Sequence, residues 1–283
     1  MTSAPSPQPS PFPSLQDRVV IVTGGARGLG REMALALVEA GARVLITASS
    51  DSGAMRETLA QAATLAAPGR MIGMAADVAD YAQCEGVVAR AIAEFGAVHV
   101  LINNAGRGMR LISETFNTEP ALFWKADPQA WKQIIDTNVT GAFNMARAAV
   151  PGMVAAGFGK VINVSTSDQT MVRTGYSPYG PSKAALESAS RVWAADLQGT
   201  GVDVMVYLPG GATDTDLLPA GANKRGADGL LLPPAIMRRG VLWLCADDSN
   251  GKSGTRYIAR LWKEELPAAE SAEGARAGGH FLG

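Results

Sequence analysis

The sequence predicts an α/β protein built on one doubly wound parallel sheet in a single domain. Three observations predict it. Short apolar, β-branched runs recur along the chain, continuous rather than alternating, as strands buried on both faces are. Stretches with helical apolar spacing separate them. The first run passes through a glycine cluster straight into a helix, a junction suited to a phosphate-bearing ligand.

The elements follow in order. Residues 18–22 form the first strand and end in Thr23-Gly24. Residues 31–40 carry Met33, Leu37 and Ala40 at helical spacing and stop at Gly41. Residues 43–47 are a second strand, and 56–66 a helix stopped by Pro68-Gly69. Residues 71–75 are a third strand, and 84–95 a helix ended by Gly96. Residues 98–102 are a fourth strand, broken by Asn103-Asn104-Ala105-Gly106. Residues 160–164 and 202–208 are two more. Ligands of such sheets sit at the carboxyl ends of the strands, near the point where strand order reverses.

Both ends of the chain read differently. Residues 1–14 carry proline at 5, 7, 9, 11 and 13, which removes N–H donors and favours extended chain, so a disordered tail is expected. Residues 263–283 lack a sustained apolar stripe and are expected to be loose as well. The folded domain is therefore assigned to residues 15–262.

Composition narrows the function classes. The 283 residues hold 25 Lys plus Arg and 26 Asp plus Glu, a net charge of −1 that lacks the basicity of a nucleic-acid binder. Two cysteines, Cys84 and Cys245, and two histidines, His99 and His280, make neither a disulfide scaffold nor a metal cluster. No apolar run reaches the roughly 18 residues of a membrane span, and the first residues show no secretion signal. A soluble, reduced, cytoplasmic protein is expected, with no metal.

The motifs carry the chemistry. Thr23-Gly24-Gly25-Ala26-Arg27-Gly28-Leu29-Gly30 lies between the first strand and its helix. Glycine permits the tight turn and lets a pyrophosphate approach the backbone, and the helix start offers free N–H groups. Tyr179 and Lys183 stand four apart in Tyr179-Gly180-Pro181-Ser182-Lys183, hence on one helix face. A lysine ammonium beside a phenol favours phenolate and lowers its pKa toward neutrality, which suits proton transfer near neutral pH.

This set resembles the short-chain dehydrogenase/reductase family. The glycine spacing, Asn103-Asn104-Ala105-Gly106, Asn138 in a later helix, the Tyr179/Lys183 pair and Pro209-Gly210 stand in the family's order. The resemblance implies a Rossmann-type fold and hydride transfer between a nicotinamide cofactor and a carbonyl or secondary alcohol. It implies that Lys183 also holds the nicotinamide ribose and that Asn138 orders a water relay behind it. Gly24, Gly28, Leu29, Gly30, Asn104, Ala105, Gly106, Tyr179, Lys183, Pro209, Gly210, Ala212, Thr213 and Thr215 would contact the cofactor. Asp77-Val78 resembles the family's adenine-contacting pair.

At one position the chain departs from the pattern. The family's catalytic serine falls in Asn163-Val164-Ser165-Thr166-Ser167-Asp168, and ungapped spacing places Thr166 there. Threonine offers the same hydroxyl with a stiffer χ1. Strand alternation points Ser165 and Ser167 away, although a small loop adjustment would bring Ser167 in.

Cofactor choice is legible at the end of the second strand. An acid there would hold a ribose 2′-hydroxyl, and Thr47-Ala48-Ser49-Ser50 has none. With Arg27 able to reach a 2′-phosphate, and Ser49 beside it, NADP(H) is expected; the alternative gives Asp51 the acidic role. Two segments would shape the substrate pocket. Residues 107–128 look longer than is usual for the family and carry Phe116, Phe123, Trp124 and Lys125. Residues 213–234, where the family keeps its lid, carry Leu217, Leu218 and glycines. An apolar substrate and a homodimer or homotetramer joined through the Tyr179 helix are expected. The rival from another class is a non-catalytic NADP-binding sensor or scaffold of the same fold.

Overall fold

The structure, a computed structural model, describes residues 15–65, 69–221, 224–226 and 229–277. The proline-rich residues 1–14 lie outside the described residues. One seven-stranded sheet has the order β3-β2-β1-β4-β5-β6-β7, with every pair parallel. Its strands are β1 Val19–Val22, β2 Arg43–Ala48, β3 Arg70–Ala75, β4 Val100–Asn103, β5 Gly159–Val164, β6 Val202–Leu208 and β7 Thr255–Ile258. The six expected strands are present. The seventh was missed because Arg256 interrupts its short apolar run.

Helices α1 Gly28–Glu39, α2 Gly53–Thr64, α3 Tyr81–Phe95, α4 Pro128–Ile135, α5 Gly141–Ala156, α6 Asp168–Met171, α7 Tyr179–Asp196, α8 Arg238–Cys245 and α9 Ala268–Ala275 connect and cover the sheet. Two apolar clusters divide at the sheet. One joins Met33, Leu37 and Val44 to Val241 and Leu244, and the other joins Val87, Val88 and Ala91 to Met145 and Val161. β1, β4 and β5 are buried along their whole length, which explains their continuous apolar sequences. No helix among the described residues is long and apolar enough to cross a membrane.

Strand order reverses between β1 and β4, where Val22 is paired with Ile102. The crevice above their carboxyl ends is the ligand position of such sheets.

The C-terminal segment departs from expectation. Within 263–283, residues 268–275 are helix α9, with Ser271, Ala272 and Ala275 buried. Beyond it, the Ala277 N–H donates to the Arg256 carbonyl at 2.9 Å, and Arg276 bridges Tyr257 on the outer edge of β7. Small side chains let α9 pack closely without the large apolar stripe that sequence reading looks for.

His99 and the cysteines sit in structural positions. His99 Nδ1 accepts the Val19 N–H at 2.9 Å, and burial lowers its pKa. Cys84 and Cys245 are buried, and desolvation raises both thiols to about 12.

Candidate active site

The glycine loop is fitted to β4 by backbone geometry. The Thr23 hydroxyl accepts the N–H groups of Asn104 and Ala105, each at 3.0 Å. Asn104 Nδ2 donates back to the carbonyls of Thr23 at 2.9 Å and Gly24 at 3.1 Å. Gly24 has φ +64°, and a Cβ there would stand 2.9 Å from the Ala105 Cα. A Cβ on Gly30 would stand 2.3 Å from the Gly24 carbonyl oxygen. Both positions exclude a side chain.

The start of α1 is left open. Ser52, Asp80 and Asp127 cap α2, α3 and α4 with side-chain oxygens, whereas Arg27 makes no cap on α1. The first-turn N–H groups and helix dipole of α1 therefore face the crevice with no side-chain cap from the residue before them. A glycine floor that no Cβ would fit, below an uncapped helix start, fits the pyrophosphate of a dinucleotide. Leu29 packs into the core behind this turn.

The outer cofactor-side residues are spread along the strand ends. Ala48 is half-buried and Ser49 exposed at the end of β2. Asp51 is drawn to Arg56 at 2.9 Å. The Asp77 carboxylate accepts the Ala79 N–H at 3.0 Å, and Val78 is buried against Gly141. After β6, the Pro209 carbonyl accepts the Arg260 N–H at 3.0 Å, and Gly210 turns with φ +89°. Ala212 and Asp214 exchange backbone hydrogen bonds with Leu232, and Thr213 is buried between them. Thr215 lies over Gly28, where a Cβ would meet its methyl at 3.2 Å. Arg27 pairs with Asp216 at 2.9 Å, and both are exposed.

A second cluster gathers at the ends of β4 and β5. Asn138 is buried in a π-helical turn, Asp136–Thr140, that leads into α5. Its Oδ1 accepts the Arg107 N–H at 2.8 Å; its Nδ2 donates to the Arg107 carbonyl at 3.0 Å and to Ser182 Oγ at 2.9 Å. Ser182 in turn donates to the Tyr179 carbonyl at 2.7 Å. Lys183 is buried, and its Nζ donates to the Val164 carbonyl at 2.8 Å. A Cβ on Gly106 would stand 3.4 Å from Asn138 Oδ1 and 3.8 Å from Lys183 Nζ. Asn138, Gly106 and Lys183 therefore share one small volume.

The structure separates the two hydroxyls that sequence left open. The Thr166 side chain is close enough to the Tyr179 phenol to lower its pKa. Ser167 Oγ is committed to capping α6, accepting the Thr170 N–H at 3.3 Å. Ser165 Oγ is buried without a hydrogen-bond partner among the described residues.

The electrostatics differ from the simple picture of a lysine beside a phenol. Burial pushes the Tyr179 phenol up to about 12, partly offset by the Thr166 hydrogen bond. Lys183 is not among the groups acting on it, because its ammonium is turned to Val164. Burial brings Lys183 itself down to about 8, and the Glu187 carboxylate opposes that fall.

The long segment 107–128 reaches this cluster. Phe116 is buried edge-on against Tyr176 with ring centroids 5.4 Å apart, and Tyr176 is close enough to raise the Tyr179 pKa. Gly175 lies directly on Pro120. Phe123 and Trp124 stay exposed, in contact with each other.

The family model for short chain dehydrogenases matches residues 18–225. The chain belongs to the short-chain dehydrogenase family. This is a family of nicotinamide-dependent oxidoreductases. A short-chain type dehydrogenase/reductase of Picea abies is 36% identical over 219 residues, 76% of this chain and 77% of that protein. The 3-oxoacyl-(acyl-carrier-protein) reductase FabG of Escherichia coli is 32% identical over 222 residues, 78% and 84% of the two chains. An acetoacetyl-CoA reductase of Shinella zoogloeoides is 31% identical over 252 residues, 86% and 96% of the two. Among solved structures, a short-chain type dehydrogenase/reductase from Mycobacterium marinum superposes with TM-score 0.74 at 25% identity, covering 87% of this chain and 94% of its own.

Two charged residues of this cluster escaped the sequence reading. Glu187 and Arg256 are buried and paired at 3.1 Å, and Arg256 also reaches the Thr166 carbonyl and Asp168. The signal at Arg256 was a charge inside a short strand, but its partner Glu187 lies 69 positions away on a helix that carries other charges.

Proposed function

We propose that this short-chain dehydrogenase moves a hydride between NADP(H) and a carbonyl or secondary alcohol on a largely apolar substrate. The observation that carries the reading is the contact of Thr166 with Tyr179, one helical turn from buried Lys183. The nicotinamide supplies the hydride. Thr166 donates a hydrogen bond to the substrate oxygen, and Tyr179 gives it a proton during reduction or takes one during oxidation. Lys183 holds the cofactor ribose, while Asn138 supports that face. Gly24, Gly28 and Gly30 receive the pyrophosphate with Asn104, Ala105 and Gly106, Asp77-Val78 lies at the adenine, and Thr213 and Thr215 border the nicotinamide.

Choice of the phosphorylated cofactor is supported by the lack of an acid at Ala48 and Ser49 and by the engagement of Asp51 with Arg56. Arg27 would exchange Asp216 for the 2′-phosphate. The folded domain extends past 262 through α9, and 213–234 serves as its lid. Exposed Phe143 and Trp131 on α5 and α4, and Val192 on α7, support a homo-oligomer, dimer or tetramer, joined through this face.

Consumption of NADPH and NADH over a panel of ketones and alcohols tests the reading, with 3-oxoacyl thioesters first because two relatives are named for such substrates. Turnover that prefers NADPH is expected. Absence of turnover with every carbonyl and alcohol in both directions would overturn it.

A further inference from the structure

Arg256 lies on the edge strand β7, yet its side chain is buried and spans three elements. Nε donates to Glu187 Oε1 on α7 at 3.1 Å. Nη2 donates to the Thr166 carbonyl after β5 at 3.0 Å and to Asp168 Oδ1 at the start of α6 at 2.8 Å. Glu187 is one turn beyond Lys183 on the same helix and is also buried. The two segments that carry Thr166 and Lys183 are thus joined by one guanidinium.

We propose that Arg256 and Glu187 are positioning residues of the active site, a buried brace that fixes the Thr166 segment against the Lys183 face of α7. The proposal rests on the proposed roles of Thr166 and Lys183.

Three physical points support it. First, burying a charge is costly unless it is paired, and here Arg256 is paired with both Glu187 and Asp168. Second, a guanidinium spreads its donors over several nitrogens in one rigid plane and so meets acceptors on three segments at fixed angles, a geometry that the compact ammonium of lysine does not reproduce. Third, Thr166 is held through its carbonyl, opposite the hydroxyl that meets Tyr179. Losing that hydrogen bond frees the hydroxyl to drift, and misplacements of about 1 Å cost about 100-fold in rate.

Glu187 has a second consequence. It is the negative charge that opposes the loss of the Lys183 proton. The groups facing Lys183 from other elements, Gly106, Asn138 and the Val164 carbonyl, are uncharged. Around Glu187 stand Arg256 of β7, Arg191 of α7 and, at the rim of the same cavity, Arg276. Removing the Glu187 charge leaves Lys183 among neutral groups and distant cations, so its proton is lost at lower pH.

The test compares Arg256→Met, Arg256→Lys, Glu187→Gln and the Glu187→Gln/Arg256→Met double variant with the full-length protein and with Tyr179→Phe. For each, thermal melting, kcat and KM at pH 7, and NADPH binding by fluorescence from pH 6 to 10 are measured. Arg256→Met is expected to lower kcat by about 10- to 100-fold with NADPH affinity at pH 7 within about threefold. Arg256→Lys should recover part of the loss. Glu187→Gln should move the alkaline midpoint of NADPH binding to lower pH. The double variant should lose no more than the worse single, because both residues act through one contact.

If Arg256→Met fails to fold, Arg256→Lys and Glu187→Gln decide, since each leaves Arg256 or its replacement paired with Asp168. Folded single variants with wild-type kcat and an unmoved alkaline midpoint would overturn the brace, even with Tyr179→Phe inactive. Strictly additive losses would do the same. Normal turnover by Tyr179→Phe would instead overturn the proposed function, and the alkaline midpoint would still judge the Glu187 arm by itself.

Discussion

Across the crevice, two walls are held by different forces. On the β1–β4 side, Thr23 and Asn104 close their hydrogen bonds on backbone groups, and Gly24 and Gly30 leave no room for a side chain. On the opposite side, the described part of 213–234 carries charge contacts beside the backbone bonds of Ala212 and Asp214 with Leu232. Arg27 meets Asp216 at 2.9 Å and Arg110 donates to the Asp216 carbonyl at 2.8 Å from outside the segment, and Lys224 meets Asp214 at 2.7 Å within it. Backbone bonds in a buried loop are expensive to break, whereas exposed ion pairs contribute little and are screened by salt. The first wall is held by bonds that are costly to break, and the second in part by ion pairs that are weak in water. The proposed cofactor floor and the proposed lid thus differ in what holds them, as suits an enzyme that must admit and release two ligands in each cycle.

The largest expected effect lies between the walls. Tyr179→Phe should lower kcat by about 100- to 10,000-fold, the usual worth of a proton-transfer group. NADPH affinity should stay near normal, measured by fluorescence titration. A variant that loses affinity and keeps kcat would place Tyr179 in the floor rather than in the chemistry.

Lys183→Met separates function from stability. The folded-state pKa, about 8, lies below the ordinary 10.5. Between those values the unfolded chain binds more protons than the folded one, so this residue's cost to stability is full below pH 8 and fades as pH rises toward 10.5. Thermal melting at pH 7 should show Lys183→Met more stable, by an amount on the order of 2–3 kcal/mol, with the gain shrinking by pH 10. Activity should be lost. A variant less stable at pH 7 would show that the Val164 hydrogen bond outweighs the burial of charge.

Gly30→Ala strikes the rigid wall. Its Cβ would stand 2.3 Å from the Gly24 carbonyl oxygen, so backbone must shift. Melting should report a loss of about 1–3 kcal/mol, accompanied by weaker binding of both NADPH and NADH. An unchanged melting temperature would show that this wall yields as readily as the lid.

The latch should give the smallest effects. Arg27→Ala is expected to weaken NADPH about tenfold more than NADH, because only the former carries the charge that Arg27 would pair with. Asp216→Asn removes the competitor for Arg27 and should tighten NADPH by less than about fivefold, with the gain fading at high salt. Equal effects of Arg27→Ala on both cofactors would remove Arg27 from the phosphate site.

The rigid wall was legible in the sequence because local spacing encodes it. Glycines at 24, 28 and 30 belong to one turn, and Tyr179 and Lys183 to one helix turn. What depends on long-range burial was not. Spacing favoured Thr166 over Ser167 for the hydroxyl position, and what it could not show is that Ser167 Oγ caps α6. The proximity of Tyr179 and Lys183 suggested an acidified phenol, whereas desolvation dominates at Tyr179. The Arg256–Glu187 pair joins residues that sequence reading treats as a misplaced charge in a strand and a solvated charge on a helix. α9 escaped because Ala272 and Ala275 bury little area each and leave no strong periodic stripe.

One measurement bears most directly on the central claim. NADPH carrying deuterium at the hydride position is mixed with the wild-type protein and the best carbonyl of the panel, and the product alcohol is analysed by mass spectrometry and NMR. The account predicts deuterium on the carbinol carbon, formed with wild-type protein and suppressed at least 100-fold in Tyr179→Phe. Product alcohol without the label, or labelled product formed equally fast by Tyr179→Phe, would contradict it.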